Sequence, residues 1–290
     1  MKMSGIITPM VTPFRQNGEI DYEATAKLLD YLKEIGIYGV FPNGSTGLFP
    51  FLSADERMKF LEFVIEHSHG MKVLAGIGSS STQESVKLGK HAKDAGADAL
   101  VLMPTYYITA GQEEILKHFR EVIGTVRKET FIYSIPQLSG AKIEPETVKT
   151  LKQEFSEIIG LKESSADMRY FSDIMQFSGP DFAIFQGQDD LLIPSLSIGA
   201  DGGVCGLTNF SKPVVTAYKE FTSGKLDAAR KTQMQKINPF IRSLLTSRFP
   251  SAYYYAFYRK FGLNGGYRSP MVEPSESAKN LVNRALETLD

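Results

Sequence analysis

The chain is poor in the residues that carry sulfur and imidazole chemistry. It has one cysteine, Cys205, in 290 residues, so no disulfide can close within it. This fits a reducing compartment, and a cytoplasmic location is expected. Cys205 lies in Gly202-Gly203-Val204-Cys205-Gly206, with no histidine near it in sequence, and reads as a small buried apolar filler. The four histidines, His67, His69, His91 and His118, fall within or at the ends of helix-patterned stretches, and no two flank a glutamate at i, i+4 spacing. Neither a zinc site nor a Ser-His-Asp hydrolase is therefore expected. No charge sign prevails, with 32 basic against 33 acidic residues. A nucleic-acid partner would need a clustered basic excess, so none is expected. No apolar run approaches the ~18 residues of a membrane span. The start of the chain, Met1 to Ile6, leads straight into a strand-like segment, which speaks against a signal peptide and a membrane partner. Gly76-Ile77-Gly78 lacks the third glycine and the acidic partner of a dinucleotide fingerprint, and no cofactor is expected.

What the chain does have is rhythm. Eight apolar runs alternate with amphipathic stretches: Gly5–Pro9, Gly39–Pro42, Lys72–Gly78, Ala99–Pro104, Thr130–Pro136, Ile158–Ser164, Phe182–Gly187 and Gly202–Gly206. Their near-continuous apolar character suits parallel strands buried on both faces. Helix signals lie between them. Asp21 can cap a helix whose inner face is Leu28, Leu29, Leu32 and Ile35. Ser53 to Glu56 forms a capping box, and Pro145 sits where a first turn tolerates it. Gly36, Gly96 and Gly199 each stand three residues before a strand, as left-handed helix caps do. Eight such units close most naturally into a (β/α)8 TIM barrel, with a doubly wound sheet as the alternative. The barrel is expected to span residues 1–224, its eighth helix running from Lys212 to about Ser223. Residues 225–290 read as a C-terminal helical appendage rich in tyrosine. Those aromatics suit a packed helix or subunit contact better than a stacking platform for bases.

Barrels place their chemistry at the C-terminal ends of strands. Lys162 ends the sixth, after Ile158-Ile159-Gly160-Leu161. An ammonium there is costly unless paired or deprotonated, and a neutral lysine is a nucleophile toward carbonyls. On position alone, a lysine snorkelling to water is the simpler reading. Its neighbours at other strand ends reverse that. Strand 2 ends in Asn43-Gly44-Ser45-Thr46-Gly47, a turn that can offer N–H groups and two hydroxyls to an anion. Strand 4 leads to Tyr106-Tyr107, strand 5 to Tyr133, and strand 7 to Gly187-Gln188-Asp189-Asp190. An amine, a phenol and an anion-binding turn are what imine chemistry on a 2-oxo acid requires.

Four motifs in order carry a resemblance along the whole chain: Gly44-Ser45-Thr46-Gly47, Tyr133-Ser134-Ile135-Pro136, Gly160-Leu161-Lys162 and Gly199-Ala200-Asp201-Gly202-Gly203-Val204. They resemble the dihydrodipicolinate synthase and N-acetylneuraminate lyase family of pyruvate-dependent class I aldolases, above all its archaeal 2-keto-3-deoxygluconate aldolases. The resemblance implies a barrel with three C-terminal helices, assembled as a homotetramer. It implies that Lys162 forms the Schiff base and Tyr133 moves protons. Ser45 and Thr46 would bind the pyruvate carboxylate, with Ser45 also in the proton relay. Tyr107 would reach a neighbouring subunit's site. Val204 would offer a carbonyl near the imine, and Pro9 closes the first strand beside the substrate. Ser164, Gly187 and Asp189 would touch a polyol tail.

Departures from the family pattern bear on the substrate. Leu138 stands where the synthases resembled carry an arginine for a second carboxylate, and Leu48 follows the Gly-Ser-Thr-Gly turn where synthases and sialate lyases carry glutamate. Gly47-Leu48 resembles the ketodeoxygluconate aldolases, whereas Gln137-Leu138-Ser139-Gly140 resembles the sialate lyases. Asp189 and Asp190 can accept hydrogen bonds from hydroxyls and would repel phosphate. The expected reaction is reversible cleavage of 2-keto-3-deoxygluconate to pyruvate and glyceraldehyde. The alternatives are another lyase or synthase of the family, or a keto-acid sensor that forms no imine.

Overall fold

The protein, seen in a computed structural model, is described over residues 2–288. Met1 and the last two positions of the expected appendage lie outside the described residues. The chain runs β1 (Gly5–Pro9), α1 (Tyr22–Ile35), β2 (Gly39–Phe41), α2 (Ala54–Glu66), β3 (Lys72–Gly76), α3 (Thr82–Asp94), β4 (Ala99–Leu102), α4 (Gln112–Val126), β5 (Thr130–Ser134), a short α5 (Pro136–Ser139), α6 (Pro145–Glu154), β6 (Ile158–Glu163), α7 (Met168–Met175), β7 (Ala183–Gln186), α8 (Leu192–Ser197), β8 (Gly202–Val204) and α9 (Pro213–Thr222). Every strand pairs in parallel with the next, and β8 pairs with β1 through Gly5 and Gly202. The sheet is closed, which settles the choice against an open doubly wound sheet.

Local chemistry sets the ends of the elements. The Asp21 carboxylate accepts from the Ala24 N–H at 3.0 Å and starts α1. Ser53 and Glu56 cap each other's backbone at the start of α2, a contact that stabilises a helix by about 1 kcal/mol. Gly36, Gly96 and Gly199 all have positive φ at the helix-to-strand joints, a conformation that costs a side chain. Leu28, Leu29 and Leu32 are fully buried against the strands, each contributing about 1.5–3 kcal/mol.

Two apolar layers follow from strand alternation. Ile6, Val40, Val73, Leu100, Ile132 and Ile184 face the helices. Ile7, Phe41, Leu74, Val101, Phe131 and Phe185 fill the barrel interior. That plug gives the site above it a rigid apolar floor. Beyond α9 come α10 (Leu226–Thr232), a π-helical turn (Gln233–Ile237), α11 (Asn238–Leu244), α12 (Ser251–Phe261) and α13 (Glu276–Glu287). The tyrosines of α12 pack inward. The Tyr254 and Tyr258 hydroxyls accept from the N–H groups of Thr12 and Phe14 at 3.2 and 3.1 Å, holding the loop after β1. Buried in this way, they serve as packing and not as a stacking surface.

Candidate active site

Lys162 reaches the barrel interior because β6 carries a bulge. Ile158 and Gly160 pair with the consecutive residues Thr130 and Phe131, leaving Ile159 as the extra residue. Ile158 packs among the helices. Lys162, four residues on, would share that face in a regular strand, whose side chains alternate with period two. The extra residue reverses the phase and turns Lys162 inward. Gly160 permits this, since a Cβ there would lie 2.3 Å from the Ala183 carbonyl oxygen and 2.4 Å from the Phe131 ring.

The amine then meets aromatic faces. Lys162 is 6% exposed. Its Nζ lies 3.7 Å from the ring centroid of Tyr133, its cross-strand partner on β5, and 5.2 Å from that of Phe41. Phe41 in turn holds the Tyr133 ring edge-on at 6.0 Å. The Tyr133 and Ser45 hydroxyls are 3.4 Å apart. Ser45 belongs to a turn fixed on several sides. Asn43 takes a positive φ and donates from Nδ2 to the Arg57 carbonyl at 2.9 Å. The Thr12 hydroxyl donates to the Gly47 carbonyl at 2.8 Å. Arg57, itself buried, donates to the Gly76 and Gly78 carbonyls at the end of β3, and burial brings its guanidinium down to about 10. Among the described residues the N–H groups of Ser45 and Thr46 find no protein acceptor, so they stand free for an anion.

Lys162, Tyr133, Ser45, Thr46, Pro9, Val204, Ser164, Gly187 and Asp189 all border one cavity of about 290 Å³ at the C-terminal mouth of the barrel. Ser164 is buried with its hydroxyl unpaired, and its carbonyl accepts from Gln137 and Gln188 Nε2 at 2.8 and 2.7 Å. Behind Lys162, the buried Glu163 carboxyl accepts from the Ser165 N–H at 2.7 Å and the Ser134 hydroxyl at 3.4 Å. Burial outweighs those bonds and raises its pKa.

Tyr107 is 95% exposed and lies outside its own chain's cavity. Tyr106, the residue before it, turns inward and packs edge-on against Phe49. Asp189 borders the cavity, but its carboxylate accepts from the Gly206 and Leu207 N–H groups at 2.9 and 2.8 Å. Each oxygen is thus engaged by one backbone N–H, and Asp190 borders the same cavity. Burial raises Asp189 to about 6 against the lowering effect of those two amides, with Asp190 adding to the rise. Sequence reasoning also missed the outer wall, where Ile241 of α11, Tyr253 of α12 and, from the connection between them, Leu245 and Phe249 border the cavity. Only their apolar character could have hinted at it. Cys205 is fully buried, and burial raises its thiol well above the usual range, as a filler requires.

Comparison with known proteins gives a consistent result. Residues 2–289 match the model of the dihydrodipicolinate synthetase family. The chain is 52% identical over 282 residues to an uncharacterized DapA-like lyase of Thermoplasma acidophilum, covering 97% of each. It is 47% identical over 262 residues to a 2-dehydro-3-deoxy-D-gluconate/2-dehydro-3-deoxy-phosphogluconate aldolase of Picrophilus torridus, covering 90% of this chain and 97% of the relative. The solved 2-keto 3-deoxygluconate aldolase of Picrophilus torridus superposes with a TM-score of 0.92, covering 94% of this chain and 98% of that one. Dihydrodipicolinate synthase of Aquifex aeolicus is 29% identical, with a TM-score of 0.94 over 99% and 98% of the two chains.

Proposed function

We propose that this chain, which belongs to the dihydrodipicolinate synthetase family of pyruvate-dependent lyases, reversibly cleaves 2-keto-3-deoxygluconate to pyruvate and glyceraldehyde. The observation that carries the reading is the Lys162 amine over the Tyr133 ring, with the Tyr133 hydroxyl beside Ser45. The likeness to the Picrophilus aldolase supports the choice of sugar acid.

Neutral Lys162 attacks the C2 ketone, and loss of water gives an iminium. The free N–H groups of Ser45 and Thr46 hold the carboxylate. Tyr133 phenolate, relaying through Ser45, takes the proton of the C4 hydroxyl. The C3–C4 bond breaks, its electrons move into the iminium, and glyceraldehyde leaves. The enamine is protonated at C3 and hydrolysed to pyruvate, which frees the amine. The iminium is itself the electron sink, so this sequence calls for no metal or cofactor. Val204 faces the imine with its carbonyl, while Ser164, Gly187 and Asp190 line the path of the polyol.

Among the described residues Lys162 is the only Lys or Arg bordering the cavity, and Asp190 borders it too. A phosphate would meet a carboxylate and no second cation. The non-phosphorylated sugar acid is therefore the expected substrate, tested by comparing kcat/KM for 2-keto-3-deoxygluconate and its 6-phosphate. A clear preference for the phosphate would overturn this choice. We also take residues 1–224 as the catalytic barrel and 225–290 as its appendage, since α9 ends at Thr222. A cytoplasmic homotetramer is inferred from the family resemblance and the free Cys205, with the exposed Tyr107-Ile108 tip accessible to a neighbour.

A further inference from the structure

We propose that Asp189 is a positioning residue that clamps the turn after β8 to the end of β7, and that Gln233 of the π-helical turn holds this clamp from behind. The inference rests on the imine reading of Lys162. It concerns what keeps the far wall of that site in place.

The turn is the 3₁₀ segment Gly206–Asn209. Asp189 grips its first two N–H groups. Asn209 joins the same turn to β1, donating from Nδ2 to the Pro9 carbonyl and accepting from the Val11 N–H, both at 2.9 Å. The Thr8 and Thr208 hydroxyls add a contact of 2.8 Å. Pro9, Val204 and Gly206 border the cavity around Lys162. The turn thus sets where the Val204 carbonyl and the end of β1 stand relative to the amine.

An ionised carboxylate accepts two N–H bonds more strongly than an amide could, and an asparagine would set its own NH₂ against one of those donors. Desolvating a carboxylate is costly. Asp189 is 5% exposed and among the described residues forms no ion pair, its oxygens being held by the two backbone N–H groups, so the arrangement fits a geometric demand better than a stabilising one. The second layer is equally specific. Gln233 is buried and lies outside the cavity. Its Nε2 donates to the Asp189 carbonyl at 3.1 Å and to Asn238 Oδ1 at 2.7 Å, while its Oε1 accepts from the Ile193 N–H at 3.1 Å. Gln233 opens a π-helical turn, a costly local departure found mostly where function requires it.

The test compares Asp189→Asn and Gln233→Ala with wild type in steady-state cleavage of 2-keto-3-deoxygluconate, alongside borohydride trapping with pyruvate. Displaced by an ångström, the wall should misalign the bond to be broken. The expected result for Asp189→Asn is a fall in kcat of about 100-fold with KM held within about threefold. Gln233→Ala should lower kcat in the same way by about tenfold. Both variants should still trap pyruvate. A tenfold or larger rise in KM with kcat retained in Asp189→Asn would assign it a direct substrate contact and overturn the proposal. So would a Gln233→Ala enzyme with wild-type kcat. Should Asp189→Asn fail to fold, Gln233→Ala decides alone. A wild-type enzyme that traps no pyruvate would instead refute the reading of Lys162, a separate result.

Discussion

At the scale of single residues, the proposed mechanism depends on which hydroxyl moves a proton. Tyr133 holds its ring against the Lys162 amine and its hydroxyl beside Ser45. Tyr133→Phe keeps the ring and removes only the hydroxyl proposed to carry the proton. Turnover should fall by roughly 10²- to 10⁴-fold, the usual worth of a positioned acid–base group. Single-turnover kinetics would check this, and unchanged turnover would remove Tyr133 from the mechanism. Residue-level chemistry was partly legible in the sequence. Lys162, Tyr133, Ser45 and Thr46 stood out because amine, phenol and hydroxyls clustered at strand ends. The hold on Asp189 was not legible, because its partners, Gly206 and Leu207, are backbone groups brought close only by the fold. The Gln137 and Gln188 bonds to the Ser164 carbonyl were illegible for the same reason.

At the scale of elements, each of the eight expected strands is present, its end within two residues of the expected limit or closer at most strands. Continuous apolar runs between glycine joints left little freedom there. The bulge at Ile159 was not legible. A single added residue changes no composition or periodicity that a six-residue strand can display. Yet it decides whether Lys162 faces the interior or the helices. The packing of α4 on α3 offers a pH test of stability. His118 is buried with Nδ1 against the Thr82 hydroxyl at 2.9 Å, and burial lowers its pKa from 6.5 to about 4. The unfolded chain binds a proton between these values and the folded one does not. The His118 contribution is therefore complete above pH 6.5 and is lost as pH falls toward 4, up to about 3 kcal/mol. Asp189 acts with the opposite sign, because its raised pKa removes stability as pH rises through about 6. Urea midpoints of wild type and His118→Gln between pH 7 and 4.5 separate the two. The wild type should lose more stability on acidification than the variant, and parallel curves would contradict this.

At the scale of the whole molecule, the barrel supplies Lys162, Tyr133 and Ser45, and the C-terminal segment completes the cavity around them. Ile241, Leu245 and Phe249 wall its outer side, and Tyr254 and Tyr258 brace the loop after β1 from more than 240 residues away in sequence. Contacts of that range are set by closure of the barrel and not by local pattern. The architecture was readable before the cavity was, because repetition announces a barrel and nothing local announces which helix covers it. In the proposed function all of these parts converge on one amine bonding to a 2-oxo acid. The most direct measurement is the intact mass of the protein after borohydride reduction with pyruvate, followed by peptide mapping. One pyruvate-derived adduct per chain on Lys162, absent from Lys162→Ala, is the expected result. No added mass, or an adduct on another lysine, would contradict it.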